Sequence, residues 1–268
     1  MKKKLFTVLL GISILVPSNI IFAGEGAYEP STMRCNIDEN EITLDEISMM
    51  TTEELEKLEL VPLESSNSRA VSGLKDYYLV SKYNIKQINT YYCGPATTLQ
   101  MLKVSGKAGQ VSGTTDAQKQ KTLASNQYLG TDRDGATWIN NIASTMNKLS
   151  PRSRAWTQKV INKNDKDSLA HMQYFIRANH MYNYAVDYLV YPAELSYYPA
   201  GSRSGHYIYG SGIYYDSNNA ADYNNIRLRL NDPHYDDRYY GTHVEKFMNV
   251  VRAMHDYTTN RGPANLVY

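Results

Sequence analysis

The feature that most constrains the fold is a cysteine placed just before a helix. The segment from Gln87 to Leu102 holds one of only two cysteines in the chain. Apolar residues at helical spacing predict a helix from Ala96 onward, and the Gly-Pro pair before it fixes the turn that opens the helix. Cys93 therefore lies at the amino-terminal end, where unpaired backbone N–H groups and the helix dipole favour an anion. A thiol in this position is a candidate nucleophile at neutral pH.

A second residue of the segment suits attack on a carbonyl group. Gln87 lies six residues before Cys93, and its amide N–H can donate to the oxygen that becomes negative during the attack. Asn84 and Asn89 are nearby amides that offer the same chemistry. The pattern Gln-x5-Cys-Gly-Pro-Ala followed by a helix resembles the nucleophile segment of papain-like cysteine peptidases, in particular the C39-like family. The resemblance implies a histidine and then an aspartate or asparagine far downstream.

One histidine meets that expectation. Of the six histidines, only His206 begins a clear strand. A second strand pattern ends at Asp232, and the turn-rich residues 216–222 between the two predict a hairpin with a long loop. If the hairpin folds about Asn219, His206 lies directly opposite Asp232. Opposed residues project from the same face of an antiparallel pair, so an imidazole and a carboxylate are expected side by side.

The alternation of side chains supports this hairpin. Ile208 is expected opposite Leu230, on the face that bears His206 and Asp232. The other face is expected to carry Tyr207, Tyr209, Arg227 and Arg229. Pro233 ends the second strand, because proline cannot donate a hydrogen bond to the ladder.

These residues make a complete candidate site. Asp232 can accept from one nitrogen of the His206 ring while the other nitrogen faces Cys93. The Gly-His-Tyr strand and the Asn-Asp-Pro strand end also resemble the second and third motifs of C39-like peptidases. The resemblance extends from Gln87 to Asp232 and implies Cys93 as nucleophile, His206 as base, Asp232 as its orienting carboxylate and Gln87 for the oxyanion hole. It also implies a papain-like fold.

The predicted elements indicate an α+β fold, with the nucleophile helix packed against a predominantly antiparallel sheet. The catalytic domain is expected over residues 71–268. Trp138 is expected in its core. Further strands are predicted at 77–80, 154–160 and 184–191, and further helices at 117–129, 139–146 and 167–178.

Residues 1–23 read as an export signal. Lys2, Lys3 and Lys4 precede the apolar run 5–16, which is too short to span a membrane, and Ala23 offers a small residue for cleavage. A secreted, extracellular protein without stable membrane insertion is predicted. An uncleaved anchor is the alternative, although polar residues after Val16 interrupt the run.

Residues 24–70 differ in character, because they are acidic and end in a polar linker. They are interpreted either as a pro-segment that masks the cleft and inhibits the domain, or as a surface extension. Cys35 lies in this segment and is most simply a free thiol. A redox latch with Cys93 is the alternative, and such a bond would block the nucleophile.

Three function classes remain open from the sequence. The first is a secreted cysteine peptidase that cleaves peptide or protein substrates through a thioester acyl-enzyme. The second is another acyl-transfer enzyme on the same scaffold, either a transglutaminase or a cell-wall amidase. The third is a non-catalytic binding or effector protein, which only the 24 tyrosines favour. A net charge of +1 gives no indication of nucleic acid.

No metal or other cofactor is predicted, because Asp165, Asp167 and His171 lack a third ligand at metal-site spacing. His180 is placed with His171 on a helix, and His234 is expected in a loop or at the cleft rim. Candidate pocket residues are the aromatic side chains Tyr91, Tyr92, Trp138, Tyr197 and Tyr198.

Overall fold

The structure, a computed structural model, describes residues 76–215, 219, 221–261 and 264–268, together with the stretches 42–43 and 71–72. The predicted signal at 1–23, Cys35 and nearly all of the segment 24–70 lie outside the described residues. The two described residues of that segment, Ile42–Thr43, pair in parallel with Val71–Ser72, which follow it. None of the helices in the described ranges is both long enough and apolar enough to cross a membrane.

Capping residues in the sequence mark the amino-terminal ends of two helices. Thr115 and Gln118 form a capping box at the start of α2, and Asp165 caps α5 by accepting from the Asp167 N–H group. The helices are α1 (Cys93–Val104), α2 (Asp116–Ala124), α3 (Thr131–Asp134), α4 (Ile139–Leu149), α5 (Lys166–Met181) and α6 (Phe247–Arg261). Short 3₁₀ turns lie at Ala108–Gln110 and Pro192–Glu194.

One antiparallel sheet organises the domain. Its strands are β1 (Asp76–Leu79), β2 (Gln158–Lys159), β3 (Val186–Val190), β4 (His206–Tyr215), β5 (Arg227–Asp232), β6 (Gly241–Lys246) and β7 (Leu266–Val267). The strand order is β2-β7-β3-β4-β5-β6, and β1 pairs with the second half of β4. Mixed helices and antiparallel strands confirm the predicted α+β class.

The sheet lies between two layers of helices, and β3 shows how the sequence produces this. Val186, Tyr188 and Val190 belong to the core cluster formed with α5 and α6. Leu189, between them, belongs to the cluster formed with α1 and α4. Successive strand residues point to opposite faces, so a strand buried on both sides reads as a nearly continuous apolar run.

The β4–β5 hairpin is confirmed, but its predicted register is wrong. Tyr209 pairs with Asn231, and Gly210 rather than Ile208 pairs with Leu230. The hairpin is centred near residue 220 instead of Asn219, and a bulge between Gly210 and Gly212 adds a residue to β4. Before the bulge the shift is two residues. An even shift keeps His206 and Ile208 on their predicted face.

Three other predictions need correction. Trp138 is 56% exposed and lies just before α4, not in the core. The strand predicted at 154–160 is limited to Gln158–Lys159, and Trp156 is a buried core residue before it. The helix predicted at 117–129 ends at Ala124. Trp138 lies on the surface because its indole N–H donates to Asp134 Oδ2 at 3.0 Å.

Candidate active site

Cys93 lies at the amino-terminal end of α1 as predicted, although the helix begins at Cys93 itself, three residues before the predicted start at Ala96. It is 9% exposed and lines a cleft. Pro95 in the first turn has no N–H group to leave unpaired. Tyr92 precedes the helix and makes no side-chain capping bond, and its hydroxyl donates to Asp132 Oδ1 over 2.5 Å. The first backbone N–H groups of α1 are therefore not occupied by a Tyr92 cap and can stabilise negative charge.

Gly94 is required by a close approach of the chain. A Cβ atom at this position would lie 2.3 Å from Thr137 Oγ1. Thr137 precedes α4 and lines the same cleft as Cys93. The loop before α4 can therefore form a wall beside the cysteine only because residue 94 has no side chain.

His206 and Asp232 meet at one end of the sheet, because His206 begins β4 and Asp232 ends β5. His206 Nε2 lies 2.8 Å from Asp232 Oδ1. Since Tyr209 pairs with Asn231, the two side chains are diagonal neighbours on one face rather than direct partners. The sequence thus predicted the correct pair through an incorrect register.

Asp232 is fully buried and heavily hydrogen-bonded. Oδ1 accepts from the His234 backbone N–H group at 2.8 Å as well as facing His206. Oδ2 accepts from the hydroxyl groups of Tyr198 at 2.9 Å and Tyr197 at 3.3 Å. These contacts fix the orientation of the carboxylate and compensate for its loss of water.

Ring stacking holds both tyrosines in place. Tyr197 stacks on His243 with ring centroids 3.7 Å apart. Tyr198 stacks on Tyr239 with centroids 4.4 Å apart. Burial and then the negative charge of Asp232 raise the pKa of Tyr197 and of Tyr198 well above the usual value, so both hydroxyl groups remain donors.

The electrostatics of the pair favour an imidazolium. Burial alone would lower the pKa of His206, but the charge and hydrogen bond of Asp232, together with a hydrogen bond to Cys93, raise it to about 10. Burial would raise the pKa of Asp232, but the His206 charge and hydrogen bond lower it below the usual value. His206 is therefore protonated and Asp232 ionised at neutral pH.

The His206 ring lies in the same cleft as Cys93 and also bonds to Asp232. A hydrogen bond with the Cys93 side chain contributes to the raised pKa of His206. Because Nε2 faces Asp232, Nδ1 is the ring nitrogen available to the sulfur. The structure thus brings together the three residues that the sequence placed on separate elements.

Gln87 lines the same cleft as Cys93. Its backbone N–H group donates to the Pro233 carbonyl at 2.7 Å, which ties it to the end of β5. Its side-chain Nε2 donates one hydrogen to the Asn89 carbonyl at 2.6 Å, and an amide nitrogen carries a second hydrogen. Asn84 is a weaker candidate for the oxyanion hole, because its side chain bonds to Asn231 and Thr242 beneath the loop.

The cleft has a volume of about 510 Å³. Gln87, Cys93 and Thr137 lie on its wall with His206 and Tyr198. Exposed aromatic side chains also lie there, since Tyr91 is 40% and Tyr235 47% exposed. Of the predicted pocket residues, Tyr91 and Tyr198 line the cleft, whereas Tyr92, Tyr197 and Trp138 are not part of its lining.

His234 is a second histidine in the cleft, as its position after Pro233 predicted. Its ring centroid lies 5.5 Å from that of His206. Nδ1 accepts from the Asp236 N–H group at 3.0 Å, which places the proton of the neutral ring on Nε2. Burial and then the positive charge of His206 lower the pKa of His234. His234 is therefore a neutral neighbour with an N–H group to donate.

The sequence did not single out every residue that shapes the site. Tyr197 and Tyr198 were expected as pocket residues and not as donors to Asp232. Asp187 lies buried on β3 and is absent from the predicted site, although an acidic residue inside an apolar strand is a recognisable signal. In the described part of the chain, no group of three His, Cys, Asp or Glu side chains is placed to hold a metal ion.

Replacing Tyr198 with Phe should lower the free energy of unfolding by roughly 1.5–3 kcal/mol, because Asp232 loses its shortest Oδ2 hydrogen bond while the stacked ring stays. Urea unfolding measures the change. Tyr197→Phe is the matched control and should cost less, since its hydrogen bond is longer. Equal stability of wild type and Tyr198→Phe would contradict the role given to this hydroxyl.

Comparisons with known proteins do not extend this description. No protein-family model matches the chain, and no curated protein sequence matches it. The function is therefore inferred from the geometry and electrostatics of the site itself.

Proposed function

We propose that this chain is a cysteine peptidase of the papain-like, C39-like type, which hydrolyses peptide bonds through Cys93, His206 and Asp232. The single observation that carries the proposal is the position of the His206 ring, which bonds to Asp232 and lies in the same cleft as Cys93, whose side chain helps to raise its pKa. A thiol, an imidazole and an orienting carboxylate in this order are the parts that acyl transfer by cysteine requires.

The first step is attack by the sulfur. The Cys93 sulfur is the proposed nucleophile, and His206 is the group that holds the proton that the thiol gives up. The sulfur forms a bond to the carbonyl carbon of a peptide, and the electron pair of the C=O bond moves to the oxygen. Gln87 Nε2–H and the Cys93 backbone N–H group are the donors proposed for this oxyanion.

The second step breaks the C–N bond. His206 gives its proton to the amine nitrogen, which leaves, and the acyl group remains on Cys93 as a thioester. Asp232 keeps the ring oriented and its tautomer fixed during the exchange. Water then attacks the thioester while His206 takes its proton, and release of the carboxylic acid restores the thiolate and the imidazolium.

The proposed substrate is a peptide or protein segment that enters the open cleft. The exposed rings of Tyr91 and Tyr235 offer apolar surface beside the sulfur. Export by residues 1–23 would place this activity outside the cell, and no cofactor takes part in the proposed reaction.

Replacing Cys93 with Ala should abolish peptide cleavage while the protein remains folded, because no other described group supplies the nucleophile. Hydrolysis of a quenched peptide library, followed by mass spectrometry, measures the effect. Cys35→Ser is the matched control and should retain activity. Cleavage that persists in purified Cys93→Ala would reject the assignment. Product masses with and without an added amine distinguish hydrolysis from acyl transfer.

Replacing Asp232 with Asn should move the alkaline limb of kcat/KM to lower pH. In the wild type, His206 holds its proton up to its pKa of about 10, so activity should fall only as the pH rises through that value. Without the carboxylate charge, burial lowers that pKa and the imidazolium is lost earlier. We also expect kcat to fall by about 10²-fold or more. A pH–rate profile measures both, and an unmoved alkaline limb would contradict the ion pair.

Removal of residues 24–70 should raise kcat/KM if this acidic segment is a pro-segment that covers the cleft. The measurement compares purified chains with and without the segment on the same peptide. Equal rates would instead identify the segment as a spacer.

A further inference from the structure

The His234 ring lies in the wall of the cleft, and the main chain that carries it is fixed. The His234 backbone N–H group donates to Asp232 Oδ1 at 2.8 Å. The carbonyl of the preceding residue, Pro233, accepts from the Gln87 backbone N–H group at 2.7 Å. His234 is thus tied both to the carboxylate of the proposed catalytic pair and to the segment that carries the proposed oxyanion donor.

Neighbouring groups also fix the orientation of the His234 ring. Tyr235 stacks on it, with ring centroids 4.5 Å apart and an angle of 26° between the planes. Tyr239 meets it edge-on with centroids 5.0 Å apart, and Tyr198 meets it in the same way at 5.9 Å. The Asp236 backbone N–H group donates to Nδ1 at 3.0 Å. The direction of the other ring nitrogen, Nε2, is therefore set before a ligand binds.

The hydrogen bond to Nδ1 makes Nε2 a donor, because the proton of a neutral ring is then on Nε2. Burial and the positive charge of His206 lower the pKa of His234, so the ring is neutral at neutral pH. Nε2 has no acceptor among the described residues, and it is not a buried atom without a partner, so solvent in the cleft reaches it. The side chain of Asp236, which belongs to the same loop, pairs with Arg238 instead.

An N–H group on a neutral ring suits an uncharged oxygen acceptor. A peptide chain offers one such acceptor per residue, its carbonyl oxygen. The ring centroids of His234 and His206 lie 5.5 Å apart. An extended chain advances about 3.3 Å per residue. A peptide whose scissile bond lies beside His206 therefore carries another carbonyl group within reach of His234.

We propose that His234 is a substrate-binding residue, which donates through Nε2–H to a carbonyl oxygen of the bound peptide close to the scissile bond. The inference rests on the proposed function, because that function supplies the peptide and places its scissile bond. Since the ring is already held in place, little side-chain freedom is lost when the peptide binds, and the hydrogen bond contributes more fully to affinity.

Two variants of His234 separate the donor from the ring. His234→Phe keeps an aromatic ring for stacking but has no nitrogen. His234→Gln keeps an amide, which can accept from the Asp236 N–H group or donate to a ligand. Both changes are made in the full chain that carries Cys93→Ala, so that a bound peptide is not cleaved.

The probe is a fluorescent hexapeptide with blocked ends, selected from a random library by retention on immobilised Cys93→Ala. A selected peptide is used only if an excess of it slows the alkylation of Cys93 by iodoacetamide in the wild-type chain, which shows that it occupies the cleft. Fluorescence anisotropy then gives its dissociation constant. In further probes, each backbone amide is replaced in turn by an alkene, which keeps the shape but removes the carbonyl oxygen.

We expect His234→Phe to raise the dissociation constant by about tenfold, because one hydrogen bond to the peptide is lost. His234→Gln should raise it less. At one position of the probe, the alkene should weaken binding to Cys93→Ala but cost nothing further once His234→Phe is present. This non-additivity identifies the carbonyl group that His234 contacts.

An unchanged dissociation constant in His234→Phe would overturn the proposal, and so would alkene penalties that His234→Phe leaves unchanged at every position. Failure to retain any hexapeptide at the cleft would overturn it as well. If His234→Phe does not fold, His234→Leu takes its place. The proposed function fails separately, because a probe that depends on His234 for binding but is not cleaved by the wild type would reject the peptidase and keep the binding residue.

Discussion

The hydrogen bond between His206 and Asp232 is the interaction on which the rest of the site depends. Burying an imidazolium and a carboxylate is costly unless each group is paired and its remaining hydrogen-bonding capacity is used. Asp232 meets this condition with four partners, the His206 ring, the His234 backbone and two tyrosine hydroxyl groups. Removing any one of them leaves a buried charge less compensated. Two residues of this tyrosine-rich chain, Tyr197 and Tyr198, thus stabilise the buried Asp232 carboxylate.

Cys93 approaches His206 and Asp232 from the opposite face of the sheet. Cys93 begins a helix that packs in one core cluster, whereas Ile208 and Leu230, which share a face with His206 and Asp232, pack in the other. The meeting occurs at the sheet end, where β4 begins and β5 stops before Pro233. Two layers of helices around one sheet therefore leave Cys93, His206 and Asp232 at the end of the sheet, where Cys93 and His206 line the cleft.

Local signals in the sequence explain why much of the site was predictable. The helix after Cys93 follows from apolar spacing and the Gly-Pro pair, and the β4–β5 hairpin follows from alternation. These signals involve residues that are close together in the sequence, so they can be read without knowledge of the fold. The faces of β4 and β5 were right even though the register was wrong, because an even shift preserves the alternation.

The features of the fold and the site that were not predicted depend mainly on contacts that local sequence patterns do not show. The bulge after Gly210 is stabilised by Arg229, whose Nε donates to Ser211 Oγ at 2.8 Å. No local sequence pattern predicts this bulge. Tyr198 reaches Asp232 from a loop that follows a 3₁₀ turn, so its role appears only once the chain is folded. Trp138 was misplaced because its indole N–H bonds to Asp134 at 3.0 Å on the surface.

The most direct test of this account is an NMR titration of the His206 ring in the full-length protein, with His206→Gln to assign its signals. Nitrogen shifts of the imidazole report whether both ring nitrogens carry protons. The account predicts a protonated ring at neutral pH that loses its proton only near pH 10. A ring that is neutral at pH 7, with a midpoint at or below its ordinary value of about 6.5, would contradict the buried ion pair and the mechanism derived from it.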